Sequence, residues 1–384
     1  MEDATALLIL TRSGASAGAL RLLLESVGAA SAALDAGPEA WRGAGIGAAA
    51  CAALLSPDAR SLESDLRWLH ASPRHHLIGW HSSDYPSLLR SGVHPPAVLF
   101  IAGDPDLLWH PQVAVVGSRR PSDGGRDNAR QFARAFGRAG FAVTSGLAKG
   151  VDSAAHLGAL ETSRTLAVLG TGPDQCYPPG NADLLARIVE TGAVVTEHPP
   201  GTAGIAQHFP SRNRLVAGLS LGTVVIEAAL RSGALITARL AADSGREVFA
   251  LPGSIHNPMA RGCHRLIRQG AGLADAPEDV IEALAPLAQS LAGELRGRLR
   301  EPTPSIPSLA GEAARQGALF GTGGDSISAL DEENLLAAIG HDPVNLDQLT
   351  QRTGLTLGPL SAMLLAMELD GKISAAHGRY SRRS

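Results

Sequence analysis

Lysine is almost absent from this sequence. All but two of its 33 basic residues are arginine, the exceptions being Lys149 and Lys372. Alanine and glycine are abundant alongside, the mark of a compositional bias, so arginine supply says little and a lysine kept in a loop says slightly more. Cysteine is scarce. Cys51, Cys176 and Cys263 lie far apart with no C-x-x-C pair, which excludes a zinc ribbon and a disulfide framework and points to reduced thiols. No apolar run reaches the roughly 18 residues of a membrane-crossing helix. The acidic start Met1-Glu2-Asp3 before a short apolar run is not a signal-peptide pattern. A cytoplasmic protein with no membrane partner is expected. Excess charge of one sign is lacking too: the net charge is −4, so any site for a polyanion must be a local basic patch. Two phosphate-binding signatures are missing. No Gly-x-Gly-x-x-Gly follows the first strand of the α/β pattern, and no Gly-Lys-Ser/Thr occurs anywhere. No cofactor and no metal is expected.

What is present is an ordinary globular balance, with 45% hydrophobic and 18% charged residues over 384 positions. That length implies two or three domains. Residues 1–80 read as short helices, with apolar residues at helical spacing in Ala4–Leu10 and Ala19–Ser26. The Gly43-x-Gly45-x-Gly47 turn between two of them resembles a SAM-like or helix-hairpin-helix unit. Few basic residues surround it, which favours a packing role. Residues 81–285 alternate short Val-rich strands with helices. Strands fall at Val113–Val116, Ala142–Thr144, Thr165–Leu169, Val194–Thr196, Thr223–Ile226 and Val248–Ala250, with Pro95–Ile101 entering the domain. Helices fall at Asp123–Arg138, Val151–Glu161, Ala182–Glu190, Arg212–Gly218 and Leu235–Asp243. Strands apolar throughout predict a parallel sheet buried on both faces, hence a Rossmann-like, doubly wound α/β fold with ligands at the strands' carboxyl ends. Residues 286–328, with Pro302, Pro304 and Pro307, read as a linker. Residues 329–384 follow winged-helix order, with helices at Asn345–Arg352 and Pro359–Leu369 and a wing at Lys372–Tyr380. Lys372, Arg379, Arg382 and Arg383 make its tail basic.

The distinctive loops all sit at strand ends. In the first, Gly117 permits a tight turn, Ser118 and the backbone amides can donate to phosphate, and Arg119 can fork onto a phosphate or lie on a base. In the second, Gly146 and Gly150 allow close backbone approach, Lys149 supplies a point charge, and Asp152 starts a helix and can reach His156. His156 reads as a structural histidine. In the third, Asn181 reads as a helix cap and Tyr177 as a packing residue of its own loop. Phe209-Pro210-Ser211-Arg212-Asn213-Arg214 is the most telling segment. It places two arginines in the first turn of a helix, where the dipole is already positive. A bound polyanion would remove that conflict, and a ring beside guanidinium groups suits stacking of unpaired bases.

Together with Ser232-Gly233-Ala234-Leu235-Ile236-Thr237-Ala238, these motifs in this order resemble the DNA-processing family DprA, also called Smf. The likeness is strong from about Tyr85 to Leu284 and looser outside it. It implies a non-enzymatic protein of natural transformation that binds single-stranded DNA without sequence preference, protects it, helps load RecA, and works as a homodimer through its Rossmann-type domain. It also implies a basic pocket of Gly117, Ser118, Arg119, Lys149 and Gly150, with Phe209, Arg212, Asn213 and Arg214 beside it. One departure is His264, where family members often have asparagine.

Two other readings remain. Leu221-Gly222-Thr223 followed by Glu227 partly matches the loop of nucleotide phosphoribohydrolases, which share a related fold, but the doubled glycine of that loop is missing and no second carboxylate, nucleophile or metal cluster accompanies Glu227. A transcription regulator would read DNA with the winged helix, yet Pro359–Leu369 holds no basic residue for a major groove.

Overall fold

Apolar residues spaced three and four apart dictate the helices that open the chain. In the computed structural model these are α1 (Asp3–Arg12), α2 (Ala17–Val27), α3 (Ala30–Asp35), α4 (Gly37–Gly43), α5 (Ala48–Leu55) and α6 (Ala59–His70). On α2, Leu20, Leu23 and Leu24 are buried, the Ser16 hydroxyl accepts from the Ala19 amide, and left-handed Gly28 ends the helix. The glycine turn joins α4 to α5. Trp41 is buried beside it and donates its indole N–H to Ala33 O at 2.7 Å. Arg12 forks onto fully buried Asp65 at 2.6 and 2.8 Å and also donates to Pro200 O at 2.8 Å. The fork joins α1 to α6, and the bond to Pro200 ties the helical layer to the α/β part. The structure describes residues 1–300, 329–340, 343–370, 372–376 and 379–382. They fall into two units, Met1–Ala292 and Gly293–Ser384.

The stretch expected to be helical through residue 80 ends instead on a strand, β1 (His75–Gly79). It pairs antiparallel with β2 (Val98–Gly103). Two histidines at its start hide its alternation; the His75 ring is stacked on Trp68 with centroids 4.3 Å apart. A short helix α7 (Ser87–Arg90) lies between them. The remaining elements of the sheet are β3 (Gln112–Val116), α8 (Asp123–Arg138), β4 (Ala142–Ser145), α9 (Val151–Ala159), β5 (Thr165–Val168), α10 (Ala182–Thr191), β6 (Ala193–Thr196), α11 (His208–Gly218), β7 (Gly222–Val225), α12 (Gly233–Asp243), β8 (Glu247–Ala250), α13 (Arg261–Arg268), β9 (Gly272–Leu273) and α14 (Pro277–Arg300). The strand order is β1-β2-β6-β5-β4-β3-β7-β8-β9, and every pairing from β6 to β9 is parallel. Each residue of β2 through β7 is buried, as covered faces require. The chain winds outward from β3 to β6, then returns to lay β7 against the other side of β3. A crevice opens beyond the carboxyl ends at that reversal.

Residues 286–300, expected as linker, continue α14 despite Pro286, which removes only one backbone donor. The rest of that linker, 301–328, lies outside the described residues. The second unit contains α15 (Ala329–Ile339), β10 (Val344–Asn345), α16 (Leu346–Thr353), α17 (Leu357–Leu369), β11 (Ile373–Ala376) and β12 (Arg379–Arg382). Its sheet order is β10-β12-β11. Asn345 and Gln348 form a capping box on α16, and left-handed Gly354 ends that helix. Leu335, Leu349, Leu360, Leu364 and Ile373 form its core. This is the expected helix-turn-helix with a wing. Arg379 and Arg382 are exposed on the wing, while Arg383 is outside the described residues.

Candidate functional site

A cleft of about 710 Å³ lies at the reversal point, bounded by the loops after β3, β4 and β5, the start of α11, and the loop from β7 into α12. Four arginines line it, Arg119, Arg120, Arg212 and Arg231, against one carboxylate, Asp152. On a chain of net charge −4, such a concentration of cations makes a local positive field. Arg119, Arg120 and Arg231 are exposed. Among the described residues none of these three guanidinium groups forms a hydrogen bond or ion pair, so all are available to a ligand.

Arg212 is different. It is 5% exposed and lies across Gly146, where a Cβ would fall 1.5 Å from its Nη1. Gly146 therefore makes room for the guanidinium. Gly150 has a similar purpose: its φ is +86°, and a Cβ there would meet Ser118 O at 2.4 Å. Both glycines were expected to let a ligand approach. In the structure each lets the protein's own loops close on one another. Burial pushes the Arg212 guanidinium down to about 10, with the nearby Asp152 charge opposing and Arg119 reinforcing. Arg212 thus stays cationic at neutral pH, and among the described residues its buried Nε has no hydrogen-bond partner. Burial pushes the Asp152 carboxyl up, while Arg212 and the amides of Ala148 and Gly146 oppose this. Those amides donate to Asp152 Oδ2 at 3.3 and 3.2 Å.

Several expected roles change. The Ser118 amide donates to Glu227 O at 2.7 Å, and the Ser118 hydroxyl accepts from the Arg120 amide at 3.0 Å. The amide is used by the turn, whereas among the described residues the hydroxyl's own hydrogen reaches only Met259 Sδ at 3.5 Å. Helix α11 begins at His208, four residues before the expected start, because Pro210 is tolerated in a first turn. Arg214 therefore sits in the second turn and is ion-paired with half-buried Glu197. It does not line the cleft, and because Arg212, the fifth residue of α11, is also past the first turn, the charge conflict expected at the helix start does not arise. Asn213 does line it, half-buried. Lys149 is exposed on the loop after β4, next to Ala148 of the lining but outside it. His156 does not reach Asp152; its Nδ1 contacts the Thr165 hydroxyl at 2.7 Å. Burial, with Arg212 adding to it, pushes His156 down to about 3, so the ring is neutral. Asn181 does not cap α10. Its amide donates to Leu147 O at 2.8 Å and to Ser153 Oγ at 3.0 Å, bracing a residue held at φ +59°. His264 contacts Gly253 O at 3.0 Å, joining α13 to the loop after β8.

Phe209 lines the cleft with its ring 4.8 Å from that of Tyr177. Tyr177, expected only to pack its own loop, is 46% exposed there. Arg120, Arg231 and Tyr177 are the lining residues that sequence reasoning undervalued. Each follows a strand's carboxyl end, which was the available signal. Glu227, on which the phosphoribohydrolase-like reading rests, is consumed by the fold. It accepts from the Ser122 amide at 2.9 Å, the Ser122 hydroxyl at 2.6 Å and Asn257 Nδ2 at 3.0 Å. It serves the amino-terminal end of α8, where a negative charge is favoured.

The family model for DNA recombination-mediator protein A matches residues 76–285, which include every loop of this cleft. Protein Smf of Escherichia coli strain K12 is 39% identical over 330 residues, 85% of this chain and 82% of that protein. The chain belongs to the DNA recombination-mediator protein A family. A DprA winged helix domain model matches residues 324–379 of this family member. DNA processing protein DprA of Streptococcus pneumoniae is 44% identical over 198 residues, 51% of this chain and 70% of that protein. Its X-ray structure superposes with a TM-score of 0.62, covering 73% of this chain and 98% of that one. A DprA structure from Helicobacter pylori, described as giving insight into a single-stranded DNA binding mode, is 28% identical with a TM-score of 0.51, covering 56% of this chain and 96% of that one.

Proposed function

We propose that this protein binds single-stranded DNA, without sequence preference, in the arginine-lined cleft at the carboxyl ends of β3, β4 and β7. The observation that carries this reading is the pairing of four arginines with two aromatic rings in one cleft of a net-acidic protein. Guanidinium groups neutralise phosphates whatever the sequence, and rings stack on the faces of unpaired bases. A duplex keeps its base faces inside the stack and offers none to the rings. In this reading the site performs no catalysis; the protein shields the strand and hands it to RecA during recombination in the cytoplasm, as the mediator family suggests. Self-association as a homodimer would use the α/β unit, where α12 and its flanking loop expose Leu230 and Ile236 beside a second groove.

The test is a gel shift comparing single- and double-stranded DNA of one sequence. A clear preference of the wild-type protein for the single strand is expected, with none for one base composition over another. Equal affinity for the duplex would refute the reading.

A further inference from the structure

We propose that Tyr177 is the base-contacting face of the cleft, with Phe209 as its backing, so that the two rings form one continuous stacking platform. This rests on the reading of the cleft as a single-strand site and assigns a residue within it.

The ring geometry decides between a clamp and a platform. A base held between two rings needs a van der Waals contact of roughly 3.5 Å on each face, so the rings would stand about 7 Å apart. Tyr177 and Phe209 are 4.8 Å apart and tilted by 39°. They touch each other and leave no slot. A base can therefore stack only on an outer face. Phe209 is half-buried against the strand ends, whereas Tyr177 is 46% exposed and lines the same cleft as the arginines.

The loop holding Tyr177 is fixed before any ligand arrives. The Thr171 hydroxyl donates to Gln175 O at 2.6 Å, the Gly172 amide to Thr202 O at 2.9 Å, and the Gly201 amide to Asp174 Oδ1 at 2.8 Å. The phenol hydroxyl makes no hydrogen bond among the described residues, so the fold has no use for it. A large, apolar, rigidly held ring left open beside four cations is what stacking on a polyanion's bases requires.

The experiment measures the affinity of wild type, Tyr177→Ala and Tyr177→Phe for oligothymidine and for a strand of the same length made wholly of abasic sugar-phosphate units. Tyr177→Ala should weaken oligothymidine binding roughly 5- to 150-fold, the loss of one stacked base. Tyr177→Phe should bind as wild type does. On the abasic strand all three proteins should bind equally, because the phosphate contacts remain. Unchanged oligothymidine binding by Tyr177→Ala overturns the assignment, as does an equal loss on both strands. Wild-type protein that binds neither strand would overturn the site reading itself, a different result from the failure of Tyr177 alone.

Discussion

Alanine at Arg119 and Arg231 together should weaken single-strand binding about 100-fold near 0.1 M salt. Among the described residues no exposed guanidinium in this cleft forms a hydrogen bond or ion pair, so each can make a charge-assisted contact worth about 1.5–3 kcal/mol to a phosphate. Two such contacts, partly screened, give the hundredfold loss at about 1.4 kcal/mol per decade. The slope of log affinity against log salt should become shallower by about 1.4, since each neutralised phosphate on a single strand contributes about 0.7. Stability should stay within about 0.5 kcal/mol of wild type, because both side chains are exposed. Fluorescence anisotropy titrations across a salt series measure both quantities. An unchanged slope would place the bound strand away from these arginines.

Asp152→Ala should cost about 3 kcal/mol of stability. This carboxylate is 8% exposed, accepts the amides of Gly146 and Ala148, and provides the charge that opposes the desolvation of Arg212. Removing it strands one buried and one half-buried donor and leaves a buried cation uncompensated, both recognised sources of large losses. Urea unfolding of the full chain measures the effect. A change below about 0.5 kcal/mol would mean that the floor of the cleft does not depend on this acid. Gly146 is the companion constraint, since any side chain there collides with Arg212.

The sheet was legible because its strands advertise burial. Val113–Val116 and Val194–Thr196 have no polar face to confuse the pattern, and both lie where expected. Strand β1 was not legible, because His75 is stacked on Trp68, a contact across elements that spacing cannot show. The cleft's cations at strand ends could be read in part. Arg119 was found because a glycine turn precedes it. Arg231 was missed because its relation to Arg119 depends on β7 lying beside β3, which only the sheet order reveals. Arg214 was over-read, since its partner Glu197 is distant enough in sequence for the pair to be invisible. The purposes of Gly146 and Gly150 were likewise hidden: both serve contacts between loops, and sequence alone shows only that glycine is present.

Photo-crosslinking of a bromouracil-substituted single strand, followed by peptide mapping, tests the central claim most directly. Attachments should concentrate in the peptides carrying Arg119, Tyr177, Phe209 and Arg231, and should fade as salt rises. Attachments spread over the winged helix or the amino-terminal helices, with none at this cleft, would contradict the account.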